Sequence, residues 1–168
     1  MRCRVILLNP PSGNLTLDQF PLNLAYLASV LENNGHKVKC LDMTAPFGNR
    51  TLDAVEKVIE DFKPHFIGVT LTIDHILSKY EFINKLKKQF DIPIIVGGPH
   101  ASCLPEESLK HCADFICIGE GEDTILKFAE YILGNCSLDK IDGLAYIING
   151  KAIYNNPRKP IKDLDSIP

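Results

Sequence analysis

The six cysteines of this 168-residue chain contain no C-x-x-C pair. They stand at positions 3, 40, 103, 112, 117 and 136, and the closest two, Cys112 and Cys117, are separated by four residues. That spacing excludes a structural zinc knuckle and a C-x-x-x-C-x-x-C iron–sulfur loop, and the expectation is buried or half-buried free thiols. Long apolar runs are also lacking. None approaches the ~18 residues of a membrane span, so no span is expected. There is no excess of basic charge: the net charge is -3 at pH 7, which argues against a nucleic-acid partner. Met1-Arg2-Cys3-Arg4 leads directly into a strand-like run, so no signal peptide is read and a cytoplasmic location is expected. In that setting Asn135-Cys136-Ser137 is a chance match to the glycosylation pattern.

What is present is a regular alternation. Hydrophobic residues make up 45% of the chain, enough for a globular core. Arg4 to Leu8, Val38 to Leu41, Phe66 to Thr70, Ile94 to Val96 and Phe115 to Ile118 are short apolar runs of the kind that become buried parallel strands. Between them apolar residues recur at helical spacing: Leu24, Leu27, Ala28 and Leu31, stopped by Gly35; Leu52, Val55, Ile59 and Phe62, ended by Pro64; Ile76, Tyr80, Ile83, Leu86 and Phe90. A short helix is expected to begin at Pro105, and a last one to run from Glu122 to a stop at Gly134. Asp74 is the expected N-cap of the third helix. The pattern specifies an α/β fold, a doubly wound, flavodoxin-like (Rossmann-like) parallel sheet of five strands in the order 2-1-3-4-5. Leu144 to Ile148, Asn149-Gly150 and Lys151 to Tyr154 then read as a strand, a type I′ turn and a returning strand, a C-terminal β-hairpin.

In such a sheet, ligands bind past the carboxyl ends of the strands. Four loops share that rim: Asn9-Pro10-Pro11-Ser12, Thr70-Leu71-Thr72, Gly97-Gly98-Pro99-His100 and Gly119-Glu120-Gly121-Glu122. Small and hydroxylated residues there suit a broad, flat ligand, and the glycines offer it bare backbone. Three familiar uses of the fold fit less well. A phosphorylation receiver needs acids after the first strand and an aspartate ending the third, where Asn9 and Thr70 stand. A flavin mononucleotide site is only partly supplied by Ser12, Asn14 and Thr16. A dinucleotide site needs G-x-G-x-x-G after the first strand, whereas Gly119-x-Gly121 follows the fifth and lacks the third glycine.

Taken in order, Asn9-Pro10-Pro11, Pro21-Leu22-Asn23-Leu24-Ala25-Tyr26-Leu27-Ala28, Gly97-Gly98-Pro99-His100 and Gly119-Glu120-Gly121-Glu122 resemble the N-terminal cobalamin (B12)-binding domain of B12-dependent radical SAM enzymes. The resemblance covers nearly the whole chain. It implies cobalamin bound at the rim and a following barrel that carries a [4Fe–4S] cluster and cleaves S-adenosylmethionine in methyl transfer or rearrangement. Asp163 to Pro168 resembles the segment leading into that barrel. The expected division is therefore 1–140 as the cobalamin-binding-like domain, 141–155 as the hairpin extension and 156–168 as a linker. By itself the fragment would bind without turnover.

The loop after the first strand has no histidine, so the Asp-x-His-x-x-Gly pattern that presents imidazole to cobalt is absent. His65-Phe66-Ile67-Gly68 has half of it, at the wrong end of the third strand. Cobalamin without histidine ligation is the expectation. His100 is placed either for ligand contact or for a loop bond, and Glu120 and Glu122 for cofactor amides or for the helix dipole. Two rival readings stay open. One is a degenerate domain of the same family serving as a substrate or interaction platform; the other is a free-standing flavodoxin-like enzyme, disfavoured by the lack of an acid–base or nucleophile pair on the rim.

Overall fold

The computed structural model describes residues 1–12, 21–45 and 51–168; Gly13, Asn14 and Thr16 lie outside the described residues. Strands and helices alternate as β1 (Arg4–Asn9), α1 (Leu22–Asn33), β2 (Lys37–Asp42), α2 (Leu52–Phe62), β3 (Phe66–Thr70), α3 (Ile76–Gln89) and β4 (Ile94–Gly97). They continue as α4 (Pro99–Cys103), α5 (Pro105–His111), β5 (Phe115–Cys117), α6 (Glu122–Ile132), β6 (Leu144–Ile148) and β7 (Lys151–Tyr154). One 7-stranded sheet has the order β2-β1-β3-β4-β5-β6-β7. Its first five strands are parallel in the expected 2-1-3-4-5 order, and the hairpin extends the β5 edge antiparallel.

Alternate residues of each strand feed two cores, as the pleat requires. Ile6, Leu8, Ile67, Val69, Ile94 and Val96 pack with Val55, Ile59, Ile83, Leu86 and Leu109 of α2, α3 and α5. Val5, Leu7, Phe66, Ile95 and Cys117 pack on the opposite face with Leu24 and Leu31 of α1 and Ile125 and Phe128 of α6. There the ring of Phe128 meets Phe66 edge-on at 5.1 Å, a geometry that adds roughly 0.5–1.5 kcal/mol to simple burial.

Three details differ from the sequence reading. Gly98-Pro99-His100 does not stay a loop: Gly98 at φ +95° turns the chain, and Pro99 then starts the short helix α4, since its fixed φ suits a first helical position. Asp74 is not the N-cap of α3. His75 holds that place at φ 49°, and the Asp74 carboxylate instead meets Lys79 Nζ at 2.9 Å. Among the cysteines, Cys3, Cys112 and Cys117 are buried and Cys136 is half-buried, but Cys40 and Cys103 are exposed.

Candidate functional site: a cleft between α1 and α6

The register explains why there is a hollow. Leu7 pairs with Gly68, and Gly68 pairs with Ile95, so a residue without a side chain lies between two large ones on the α1/α6 face. In the next row Thr70 pairs with Gly97. Two small residues in successive rows leave a cleft of about 200 Å³ that opens at the carboxyl edge of the sheet. Leu24 and Leu27 of α1 wall one side, and Gly121, at the N-cap of α6, with Glu122 and Ile125 of that helix the other.

The glycines around it answer to different demands. At Gly98 the positive φ excludes other residues, and a Cβ would stand 2.8 Å from Leu71 O and Thr70 Oγ1; the fold itself requires this glycine. Gly119 also has a positive φ, with open space around it. At Gly97, by contrast, a Cβ would meet nothing nearer than Cys117 Cβ at 3.6 Å. Ordinary packing would accept a side chain there. Its absence keeps the cleft floor bare.

Of the rim residues named from sequence, Thr70, Gly97, Gly98, Gly119, Glu120, Gly121 and Glu122 line the cleft. Thr70 Oγ1 accepts from Asn23 Nδ2 at 3.1 Å, a bridge from β3 to α1 across the mouth. Glu120 Oε2 accepts from Ile161 N at 2.7 Å, which ties the rim to the C-terminal segment. Gly119 N donates to Ser102 Oγ at 3.1 Å.

The remaining residues are held elsewhere. Asn9 Nδ2 donates to Asp42 Oδ1 at 2.9 Å and Thr44 Oγ1 at 3.2 Å, joining the ends of β1 and β2. Pro10 is buried and Pro11 half-buried in the loop that follows. Ser12 and Thr72 belong to a cluster around Asp74 and Lys79, whose Nζ donates to Thr72 Oγ1 at 2.6 Å. Burial pushes the Asp74 carboxyl up, but hydrogen bonds from Ser12, Thr72 and Lys79 outweigh it and hold the group well below the usual carboxylate range. Leu71 is in the α2/α3 core, and Pro99 is exposed on α4.

His100 is 5% exposed and is turned away from the cleft. Its Nε2 lies 2.6 Å from Tyr80 Oη, which also donates to Glu107 Oε1 at 3.0 Å. Burial, reinforced by Glu107, raises the Tyr80 phenol to about 12. His65 is likewise structural, with Nδ1 accepting from Arg4 N at 2.9 Å.

Sequence reasoning missed the helix wall and the floor: Asn23, Leu24, Leu27, Gly68 and Cys117. Gly68, inside a strand otherwise made of aromatic and β-branched residues, was the available signal, since a glycine weakens a strand and often marks close approach by another group. Cys117 lies on the floor with its thiol raised to about 11, chiefly by burial, so it is protonated at neutral pH.

A family model described as B12 binding domain matches residues 11–129. The chain belongs to the B12 binding domain family. Among curated proteins this domain is 34% identical over 152 residues to the uncharacterized methyltransferase PH0819 of Pyrococcus horikoshii, covering 88% of the chain and 32% of that protein. It is 28% identical to the cytidylyl-2-hydroxyethylphosphonate methyltransferase of Streptomyces wedmorensis, covering 94% of the chain and 34% of that protein. The chain therefore spans about a third of the length of these relatives. Its fold matches two solved cobalamin-dependent or radical S-adenosylmethionine enzymes. One is OxsB with aqua-cobalamin and S-adenosylmethionine bound, at TM-score 0.82 and 22% identity, covering 95% of this chain and 23% of that one. The other is TsrM of Kitasatospora setae, at TM-score 0.80 and 22% identity, covering 94% of this chain and 30% of that one.

Proposed function

We propose that this B12 binding domain holds cobalamin at the carboxyl edge of its sheet, with part of the ligand entering the α1/α6 cleft. The observation that carries the reading is Gly97. It is a glycine that neither backbone conformation nor packing demands, on the floor of an apolar cleft. A volume of about 200 Å³ lies below the ~300–1,000 Å³ of pockets that enclose whole ligands. A ligand of cobalamin's size would therefore rest mainly on the rim, and Leu24, Leu27 and Ile125 would hold a flat apolar portion of it such as the benzimidazole. Thr70, Asn23 and the rim glycines meet the polar periphery.

Among the described residues no histidine lines the cleft, and the His100 ring is taken by Tyr80. With no histidine in the loop after β1 and the His100 ring bonded to Tyr80, cobalamin would be held without histidine ligation from this chain. Cobalamin supplies a cobalt centre able to carry an alkyl group; the chain's own residues bind and orient it and shield one face from water. In the full-length protein, residues 156–168 link the domain to a radical SAM barrel that bears the [4Fe–4S] cluster and S-adenosylmethionine. The methyltransferase relatives support methyl transfer as the activity.

The test is to mix the 168-residue chain with hydroxocobalamin, desalt it and record the corrin absorbance. About one equivalent retained is expected, and none retained overturns the reading in favour of a degenerate domain. In the cobalt(II) state the electron paramagnetic resonance spectrum should lack splitting from an imidazole nitrogen supplied by the protein. A splitting that persists with cobinamide, which has no benzimidazole of its own, would refute histidine-free binding.

A further inference from the structure

The side chain of His100 is 2% exposed. It stands in α4, two residues past the Gly98 turn, with its ring directed at Tyr80 of α3 rather than at the cleft. Leu71, Tyr80 and Ala101 around it belong to the apolar core of that face. A leucine would fill such a place without the cost of desolvating an imidazole. The imidazole brings directed hydrogen bonding instead. Tyr80 has one hydroxyl hydrogen, which it gives to Glu107 Oε1 at 3.0 Å, so the 2.6 Å contact runs from His100 Nε2–H to Tyr80 Oη. The Tyr80 ring is further fixed by His111, stacked on it at 5.1 Å. This relay joins α4 to α3 and α5, and a satisfied polar network specifies one arrangement where apolar packing tolerates several.

The element that needs specifying is α4. It has five residues, too few for a helix to stand on its own. It follows two glycines, the residues with the most backbone freedom to lose, and no side chain caps its start. Yet it holds two loops of the rim. His100 N donates to Leu71 O at 3.1 Å and Ser102 N to Gly98 O at 3.0 Å, while Ser102 Oγ accepts from Gly119 N at 3.1 Å. A displacement of α4 therefore disturbs Gly98 and Gly119 together.

We propose that His100 is a positioning residue of the cofactor rim: through Tyr80 it locks α4, and α4 holds the Gly97-Gly98 turn and Gly119 in the arrangement that receives the ligand. The inference rests on the cobalamin reading above. It adds that the rim is organised in advance from the α3 face of the sheet, by side chains that do not touch the ligand, so that binding does not have to order the glycines.

The experiment measures hydroxocobalamin affinity for the 168-residue chain, His100→Leu, His100→Gln, Tyr80→Phe and the double variant His100→Leu with Tyr80→Phe, at a temperature where circular dichroism shows each folded. In a fully folded chain, a merely structural pair lowers the melting temperature without moving the affinity. His100→Leu and Tyr80→Phe are each expected to weaken binding about tenfold, and the double variant by about the same factor, because both remove one link. His100→Gln, whose amide N–H can replace Nε2–H, is expected to regain most of the loss. Without ligand, amide exchange at His100, Ser102 and Gly119 should rise in His100→Leu and Tyr80→Phe while β1 keeps its protection. A loss in His100→Leu with parental affinity in Tyr80→Phe overturns the inference, since His100 would then meet the ligand itself. Unchanged affinity in both, or losses that multiply in the double variant, overturns it too and leaves the cobalamin reading intact. Absence of binding by the unsubstituted chain overturns the cobalamin reading, and amide exchange then decides the positioning: a rise upholds it and no change overturns it. Should His100→Leu not fold, Tyr80→Phe carries the same two readouts.

Discussion

Gly97 and Gly98 are neighbours with opposite obligations. Gly98→Ala forces a left-handed conformation, costing roughly 1–3 kcal/mol, and drives its methyl into Leu71 O and Thr70 Oγ1. Denaturant unfolding should show a clear loss of stability. Gly97→Ala has an ordinary conformation and ordinary contacts, so its stability should stay within roughly 1 kcal/mol of the parent. Its methyl nevertheless projects over the cleft floor, and retention of corrin after desalting should fall. Equal losses of stability in both would refute this separation. The cysteines divide similarly by burial. In the folded chain a thiol reagent should label the exposed Cys40 and Cys103 first. Cys112 and Cys117, whose thiols burial raises to about 12 and about 11, should react only as the chain unfolds. Mass mapping of labelled peptides at short times checks the order.

Among the elements, α3 carries a polar cluster under the rim in which the fully buried Lys79 is matched by Asp74 and Thr72. Asp74→Asn leaves the ammonium without its counter-charge. Because the Asp74 side chain is 38% exposed, water relieves part of the penalty, and a loss of roughly 1–3 kcal/mol is expected at neutral pH. The pH dependence follows from the direction of the shift. Asp74 is held below its unfolded value, so its contribution is complete above about pH 4 and is lost as pH falls through the lower folded pKa. Parent and Asp74→Asn stabilities should therefore converge in acid, and a constant gap down to pH 2 would contradict it. Strand and helix positions were legible because apolar spacing reflects burial directly: Phe66 to Thr70 and the Asn149-Gly150 hairpin were read to the residue. Asp74 was not legible as an ion-pair partner, because a cap is a local pattern while Lys79 turns back from the next turn of α3. Nor was the cleft, since it depends on which residues of β1 and β4 stand opposite Gly68, a matter of register between distant segments.

At the scale of the molecule, residues 156–168 lie along α6 rather than trailing from it. Gly143 N donates to Asn156 O at 2.8 Å, Arg158 pairs with Asp123, and Ile161 N donates to Glu120 at 2.7 Å. A double substitution, Glu120→Gln with Arg158→Ala, should raise amide exchange across 156–168 by about tenfold while strands β1, β3 and β4 keep their protection, because only local contacts are lost. Uniformly faster exchange would instead mean that the segment supports the whole fold. The antiparallel hairpin has a consequence of parity. β5 ends at the carboxyl edge, β6 leads away from it beside Cys117, and β7 returns, so Tyr154 comes back level with the cleft. One added strand, or three, would have delivered the chain to the opposite edge of the sheet. Two is the smallest addition that both extends the sheet and lets the departing polypeptide touch Glu120.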